Sequence, residues 1–248
     1  MNLTQEMKKK ALDTGLVLVG ISNPEGLQGL PYGQVGKVAV LRTPEEELPE
    51  VKSVMMLGIY AWDRTFNVVV ASSALQIGNE SIPKPPLESY QLYYEVAKNK
   101  AWKLADYLSR KGFESAVSVS IPLKTSAVKC GLGCQGKNTL LINPTYGPRV
   151  RLVSVLTKAE LDVDEPFKED LCRRCNRCVA VCPTKALEPY RLQIHRCMVY
   201  SLESPDTSDV PEDVRESEKK LIERPTSNSF LECSMCLDVC PIGRKKCQ

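Results

Sequence analysis

The chain has 248 residues, 43% of them hydrophobic and 25% charged, enough for one large domain or two modest ones. Its 33 basic and 30 acidic side chains leave a net charge of +3, too mild to argue for a nucleic-acid or membrane surface. Eleven cysteines, an N-terminal segment without a small-residue cleavage site, and no apolar run near the ~20 residues of a membrane span argue against a secreted disulfide scaffold or a membrane protein. The cysteines are therefore read as reduced thiols or metal ligands in a cytoplasmic protein.

In chain order, Asn2 to Thr14 is expected to be a helix, with Thr4 as its cap and Gly15 at its end. "LVLVGIS" from Leu16 reads as a buried strand. "KVAVL" and "SVMMLGIYAW" read as further strands, the second after a short acidic helix in "TPEEELPEV". The stretch from Pro85 to Gly112 carries Leu87, Tyr90, Tyr94, Ala97, Ala101, Leu104 and Leu108 at three- and four-residue steps. That is the apolar stripe of a helix, and its tyrosines are read as core packing. "FESAVSVS" is a strand, "PLKTSAVKC" a short helix after Pro122, and "TLLINPTYGPRVRLVSVLT" two strands around an Asn-Pro/Gly-Pro turn. The fold class expected is α+β. An N-terminal α/β domain over 1–160 precedes a ferredoxin-like lobe over 161–248, with a polar insertion at about 201–230.

The lobe is defined by its cysteines. Cys172, Cys175, Cys178 and Cys182, followed by Pro183, have the spacing of a bacterial two-cluster ferredoxin run. In that pattern the fourth thiolate serves the other cluster, so a second set is required. Cys233, Cys236 and Cys240, followed by Pro241, supply most of it, and Cys197 is available as the eighth ligand. The expected assignment gives one 4Fe–4S cluster to Cys172, Cys175, Cys178 and Cys240. The other takes Cys182, Cys197, Cys233 and Cys236. Structural zinc is the competing reading, but zinc sites close one tetrahedron from separated pairs. Cys130, Cys134 and Cys247 are left over. The first two read as small packing residues and the third as idle in a basic tail. His195, the one histidine, reads as a neighbour of a cluster cysteine rather than an axial ligand or proton donor.

Ahead of the cysteines, "CGLGCQGKNTLLINPTYG" places Gly131, Gly133 and Gly136 before Lys137, Asn138 and Thr139. Two readings stand side by side: a loop whose backbone and lysine face an anionic or amide-rich ligand, and a tight turn feeding a strand. A dinucleotide site is excluded, because the strand follows the glycines instead of preceding them. From Ser115 to Ala159 there is no Asp or Glu, while Lys124, Lys129, Lys137, Arg149, Arg151 and Lys158 all fall inside. Such a one-sided run suits either a surface or pocket for phosphate or carboxamide groups or a solvated basic face.

These segments, with "CRRCNRCVAVCPTKAL", "HRCMVYSLES" and "CSMCLDVCP", resemble the epoxyqueuosine reductases. The resemblance extends from about residue 5 to 242. It implies a corrinoid-binding reductase domain, two 4Fe–4S clusters, cobalamin as a further cofactor, and a cofactor-facing loop at Gly131, Gly133, Gly136, Lys137, Asn138 and Thr139. It also implies an electron donor of the ferredoxin or flavodoxin type and a tRNA substrate. Against the tRNA reaction stands Val117 to Cys130, which has no carboxylate where the family carries a catalytic aspartate. Cys134 replaces the aromatic residue of the family's loop, and no helical-repeat extension follows. The catalytic residue is unassigned, with Lys124 or a tyrosine as candidates for proton donor. Two functions follow: an oxidoreductase passing electrons from two 4Fe–4S clusters to a bound corrinoid or similar acceptor to reduce an unidentified substrate, and a non-catalytic electron carrier or reductive activator that docks a corrinoid protein or another redox partner.

Overall fold

The computed structural model describes residues 2–61, 63–71, 76–77, 80–81, 89–204, 206–227 and 229–243. Leu87 and Cys247, named above, lie outside them. The chain opens with α1 (Leu3–Asp13), β1 (Leu18–Ser22), the hairpin of β2 (Gly33–Val35) and β3 (Ala39–Leu41), the short α2 (Pro44–Glu47) and β4 (Ser53–Tyr60). The cap of α1 is Asn2, not Thr4: the Asn2 side chain accepts from the Gln5 N–H at 2.9 Å. Thr4 is already inside the helix, where its hydroxyl accepts from the Asp162 N–H at 2.8 Å and ties the helix to the linker before the cysteines.

Next come β5 (Val68–Ala71), the two-residue strands β6 (Gln76–Ile77) and β7 (Glu80–Ser81), β8 (Ser89–Gln91) and α3 (Leu92–Arg110). The helix thus starts later than its apolar period suggests. Ser89 to Gln91 are held as a strand against β5, so the helical turn begins only at Leu92. Its buried face is Tyr93, Ala97, Ala101, Leu104, Ala105 and Leu108, and Gly112 with φ +91° follows its end. After it lie β9 (Ser115–Ser118), α4 (Leu123–Lys129), β10 (Cys134–Gln135), β11 (Leu141–Ile142) and β12 (Val150–Thr157).

The main sheet has the order β1-β4-β12-β9, with every pairing antiparallel. The architecture is therefore α+β, not a parallel α/β winding. β4 and β12 are central and buried on both faces, which explains their unbroken apolar runs. Alternate residues serve two cores. Met55, Leu57, Ile59, Val153 and Val155 pack under α1 and α3, while Val54, Met56, Val150, Leu152 and Leu156 pack under α4 and its loops. Each such side chain contributes about 1.5–3 kcal/mol by leaving water.

The cysteine-rich part holds α5 (Arg177–Val181), β13 (Leu187–Glu188), β14 (Arg191–Leu192), α6 (Met198–Glu203), α7 (Glu212–Leu221), β15 (Ser229–Leu231) and α8 (Met235–Asp238). The polar stretch 201–230 contains α7, which packs on α6 through Val214 against Met198 and Tyr200. It then leads into β15, which pairs with β5 (Phe230 opposite Val69) in a sheet ordered β15-β5-β8. Among the described residues no helix is long and apolar enough to cross a membrane.

Candidate iron–sulfur site

The loop from Cys172 is shaped by its own backbone. Asp170 accepts from the Cys172 N–H at 2.9 Å, and the Cys175 N–H donates to the Cys172 carbonyl at 2.8 Å. Cys178 then sits on the first turn of α5, and Cys182 caps that helix, where Pro183 forbids another turn. Cys240, just beyond α8, comes back beside the first three. Cys172, Cys175, Cys178 and Cys240 line one cavity, together with Asn138 and Ile142. The remaining four thiols form a second group. Burial raises the pKa of Cys197, Cys233 and Cys236, and the charge of neighbouring thiols adds to it. Cys182 and Cys197 act on both Cys233 and Cys236, and Cys236 is pushed up to about 12. Thiols crowded in this way resist ionisation unless cationic metal shares their charge, which is the donor chemistry of an iron–sulfur cluster.

The glycine-rich segment lies against these groups. Gly133 has φ +152°, and a Cβ there would stand 2.3 Å from the Ile142 carbonyl oxygen. Protein backbone, not an opening, fills the space beside it. β10 and β11 form a hairpin, with Cys134 opposite Ile142. Its tip, Gly136 to Leu140, is closed by the Gly136 N–H donating to the Leu140 carbonyl at 2.8 Å, with Thr139 at φ +61°. Lys137 and Asn138 project from that tip between the cysteine segments. The buried Lys137 ammonium donates to the Arg173 carbonyl and to Asn176 Oδ1, each at 2.8 Å. Asn138 donates to the Cys236 carbonyl at 3.4 Å. Farther along, Arg149 donates to the Leu237 carbonyl at 3.1 Å and the Ile242 carbonyl at 3.3 Å, on either side of Cys240. Residues 131–149 thus bracket both cysteine segments.

One contact in this bracket admits a sharp test. Gly147 has φ +58°, and a Cβ there would meet the Ile242 carbonyl oxygen at 2.1 Å. Gly147→Ala is expected to push the 240–243 turn away and destabilise the chain by about 1–3 kcal/mol. The check is the anaerobic thermal midpoint together with iron content. Unchanged values for both would mean that the turn yields freely.

The leftover side chains divide. Cys130 is buried in the core under α4, and burial raises its pKa, so it is an inert packing thiol. Cys134 packs with Ile142 and Cys240 and accepts from the Leu171 N–H at 3.4 Å. His195 is half exposed; its Nδ1 lies 3.1 Å from Asp209 and its ring stands edge-on to Tyr200. Lys124, on the first turn of α4, is reached by water, yet the surrounding protein lowers its pKa against the pull of Cys197 and Cys236. It has no hydrogen bond or ion pair among the described residues.

Sequence reasoning missed a polar network beside Lys124. Glu203 on α6 and Glu232 after β15 meet, and Gln91 donates to both, at 3.0 Å to Glu232. Tyr93 donates to Glu232 at 3.0 Å. Arg151 stacks on the Tyr93 ring at 4.7 Å and lies 3.9 Å from Glu232, with its Nε buried and unpartnered. Burial, then the charge of Glu232, raises the Glu203 pKa to about 8. The two carboxyls therefore share a proton. No local signal could reveal this, since the members come from four separate stretches of the chain, at Gln91 and Tyr93, Arg151, Glu203 and Glu232.

Residues 171–243 match the 4Fe-4S double cluster binding domain. An epoxyqueuosine reductase of Prochlorococcus marinus (strain NATL2A) is 26% identical over 268 residues, 99% of this chain and 80% of that protein. A tetrachloroethene reductive dehalogenase of Desulfitobacterium hafniense is 34% identical over 170 residues, 62% of this chain and 27% of its own length. The solved epoxyqueuosine reductase from Bacillus subtilis superposes with a TM-score of 0.68 at 21% identity, covering 98% of this chain. This chain spans 65% of that structure's length. The chain is thus similar to epoxyqueuosine reductases over nearly its whole length, and it carries the domain that binds two 4Fe–4S clusters.

Proposed function

We propose that this epoxyqueuosine reductase-like iron–sulfur protein is a cytoplasmic oxidoreductase that reduces a substrate at a corrinoid, or a similar acceptor, bound against its N-terminal half. The observation that carries this reading is the convergence of Cys240 with Cys172, Cys175 and Cys178 around one cavity, although Cys240 lies far along the chain. These four hold one cluster. Cys182, Cys197, Cys233 and Cys236 hold the other. When bound, the clusters supply single electrons and a corrinoid supplies a strongly reducing centre. The chain's own residues bind and orient: Lys137 and Asn138 at the hairpin tip hold both cysteine segments, Thr139 with φ +61° shapes the turn that carries them, and Gly131, Gly133 and Gly136 pack against the Glu165 carbonyl, the Ile142 carbonyl and the Asn138 and Ile142 side chains. An electron donor of the ferredoxin or flavodoxin type would reduce the lobe. A solved relative is described with an epoxyqueuosine-modified tRNA stem loop, whereas the segment from Val117 to Cys130 lacks a carboxylate to act as proton donor, so the substrate of this chain is left unassigned.

That missing acid supports a second reading, a carrier that reduces a partner and completes no reaction itself. Anaerobic titration of the reconstituted protein with cobalamin, followed by absorption and EPR, separates the two. One-to-one binding with reduction through the protein supports the oxidoreductase. Absence of binding at tens of micromolar removes the corrinoid and leaves the carrier.

A further inference from the structure

We infer that Lys137 is a positioning residue that sets the reduction potential of the centre held by Cys172, Cys175, Cys178 and Cys240. The inference rests on the ligand assignment proposed above. The Lys137 side chain is charged, yet the residue is only 8% exposed. Both of its hydrogen-bond acceptors are neutral: the Arg173 carbonyl and the Asn176 carboxamide, each at 2.8 Å. Both belong to the loop that carries Cys172, Cys175 and Cys178. The acid facing Lys137, Asp170, is exposed and already accepts from the Cys172 N–H and from the Tyr190 hydroxyl, each at 2.9 Å. Arg149 brings a second cation to the segment of Cys240, where it donates to the Leu237 and Ile242 carbonyls.

The physical consequence has a definite sign. Reduction adds one negative charge to the centre. A buried positive charge close by favours the reduced form, because little water intervenes to screen it. The exposed Arg177 on the cavity wall is screened by solvent and counts for less. Neutralising Lys137 must therefore make this centre harder to reduce. Three of the second set's four thiols, Cys197, Cys233 and Cys236, lie on other segments, and Cys182 stands at the far end of α5 from Asn176; among the described residues, Asn138 is the tip residue that contacts one of those segments, through the Cys236 carbonyl. The shift should therefore be confined to one of two signals.

The test is an EPR-monitored redox titration of the full, reconstituted chain with dithionite as electron donor. Lys137→Met is expected to shift the oxidised-to-reduced equilibrium of one centre at least tenfold towards oxidised, a fall of 59 mV for one electron, with the other unchanged. Lys137→Arg keeps the charge and should move the same midpoint by less than half as much. An unmoved midpoint in Lys137→Met, or equal shifts in both variants, overturns the inference. If Lys137→Met loses iron, Lys137→Gln, which retains a donor, is titrated in its place. If only Lys137→Arg holds iron, with its midpoint unchanged, the residue serves assembly and the inference fails. Failure of the ligand assignment shows up separately, as a wild-type protein without two cluster signals.

Discussion

Cys197→Ala is expected to remove about half of the iron and acid-labile sulfide from the reconstituted protein, and one of two sets of EPR signals. Cys197 lies at the start of α6, outside every CxxC pair, so spacing alone does not bind it to a cluster. Its surroundings do. Its thiol feels Cys182, and it acts in turn on Cys233 and Cys236. The backbone N–H groups of Tyr200 and Val199 favour its ionised form against the effect of burial. Removing it leaves three crowded thiols with an open corner, and the other set of four stays complete. Cys130→Ala is the matched control, because that buried thiol packs only in the core under α4 and should leave iron unchanged. Full iron in Cys197→Ala would strike Cys197 from the ligand set.

What could be read in the sequence was local or countable. β4 and β12 announced themselves by unbroken apolar runs, because both faces of those strands are covered. Spacing suggested the two cysteine sets, and Cys172, Cys175, Cys178 and Cys240 of the first do line one cavity; Cys197 was added as the eighth thiol the proposed pattern requires. What escaped depends on distant partners. Ser89 to Gln91 scan as the first turn of a helix, but β5 takes them as a strand, and β5 is itself paired with β15 from the far end of the chain. Thr4 looks like a cap until Asn2, two residues earlier, does that work and Asp162 claims the Thr4 hydroxyl. Lys137 in a glycine run suits an anionic ligand as well as it suits carbonyl oxygens. Only the position of the Cys172 loop shows that this ammonium bonds to the protein.

The Glu203–Glu232 network sets the pH dependence of stability. In the unfolded chain Glu203 ionises near the ordinary glutamate value of 4.5, and in the folded chain near 8. Between those values the folded protein holds a proton that the unfolded chain has released, so stability falls as pH rises. The full penalty is reached above about 8, where Glu203 ionises in both states. A tenfold difference in proton affinity between the two states is worth about 1.4 kcal/mol, so the loss between about pH 5 and pH 9 amounts to a few kcal/mol. Glu203→Gln mimics the protonated carboxyl: its oxygen accepts from Gln91 and its amide donates to Glu232, as the shared proton does. The variant should match the wild type near pH 5 and be clearly more stable at pH 9. Glu203→Ala should destabilise near pH 5, where a Gln91 donor loses one of its two acceptors inside the protein, and that deficit should shrink towards pH 9, where the wild type carries the cost of its own ionised Glu203. Cluster loss makes unfolding irreversible, so anaerobic thermal midpoints at one fixed scan rate are the proper measure. Parallel pH profiles for wild type and Glu203→Gln would show that Glu203 is ionised in the folded protein, and that Lys124 and Arg151 hold two carboxylates apart.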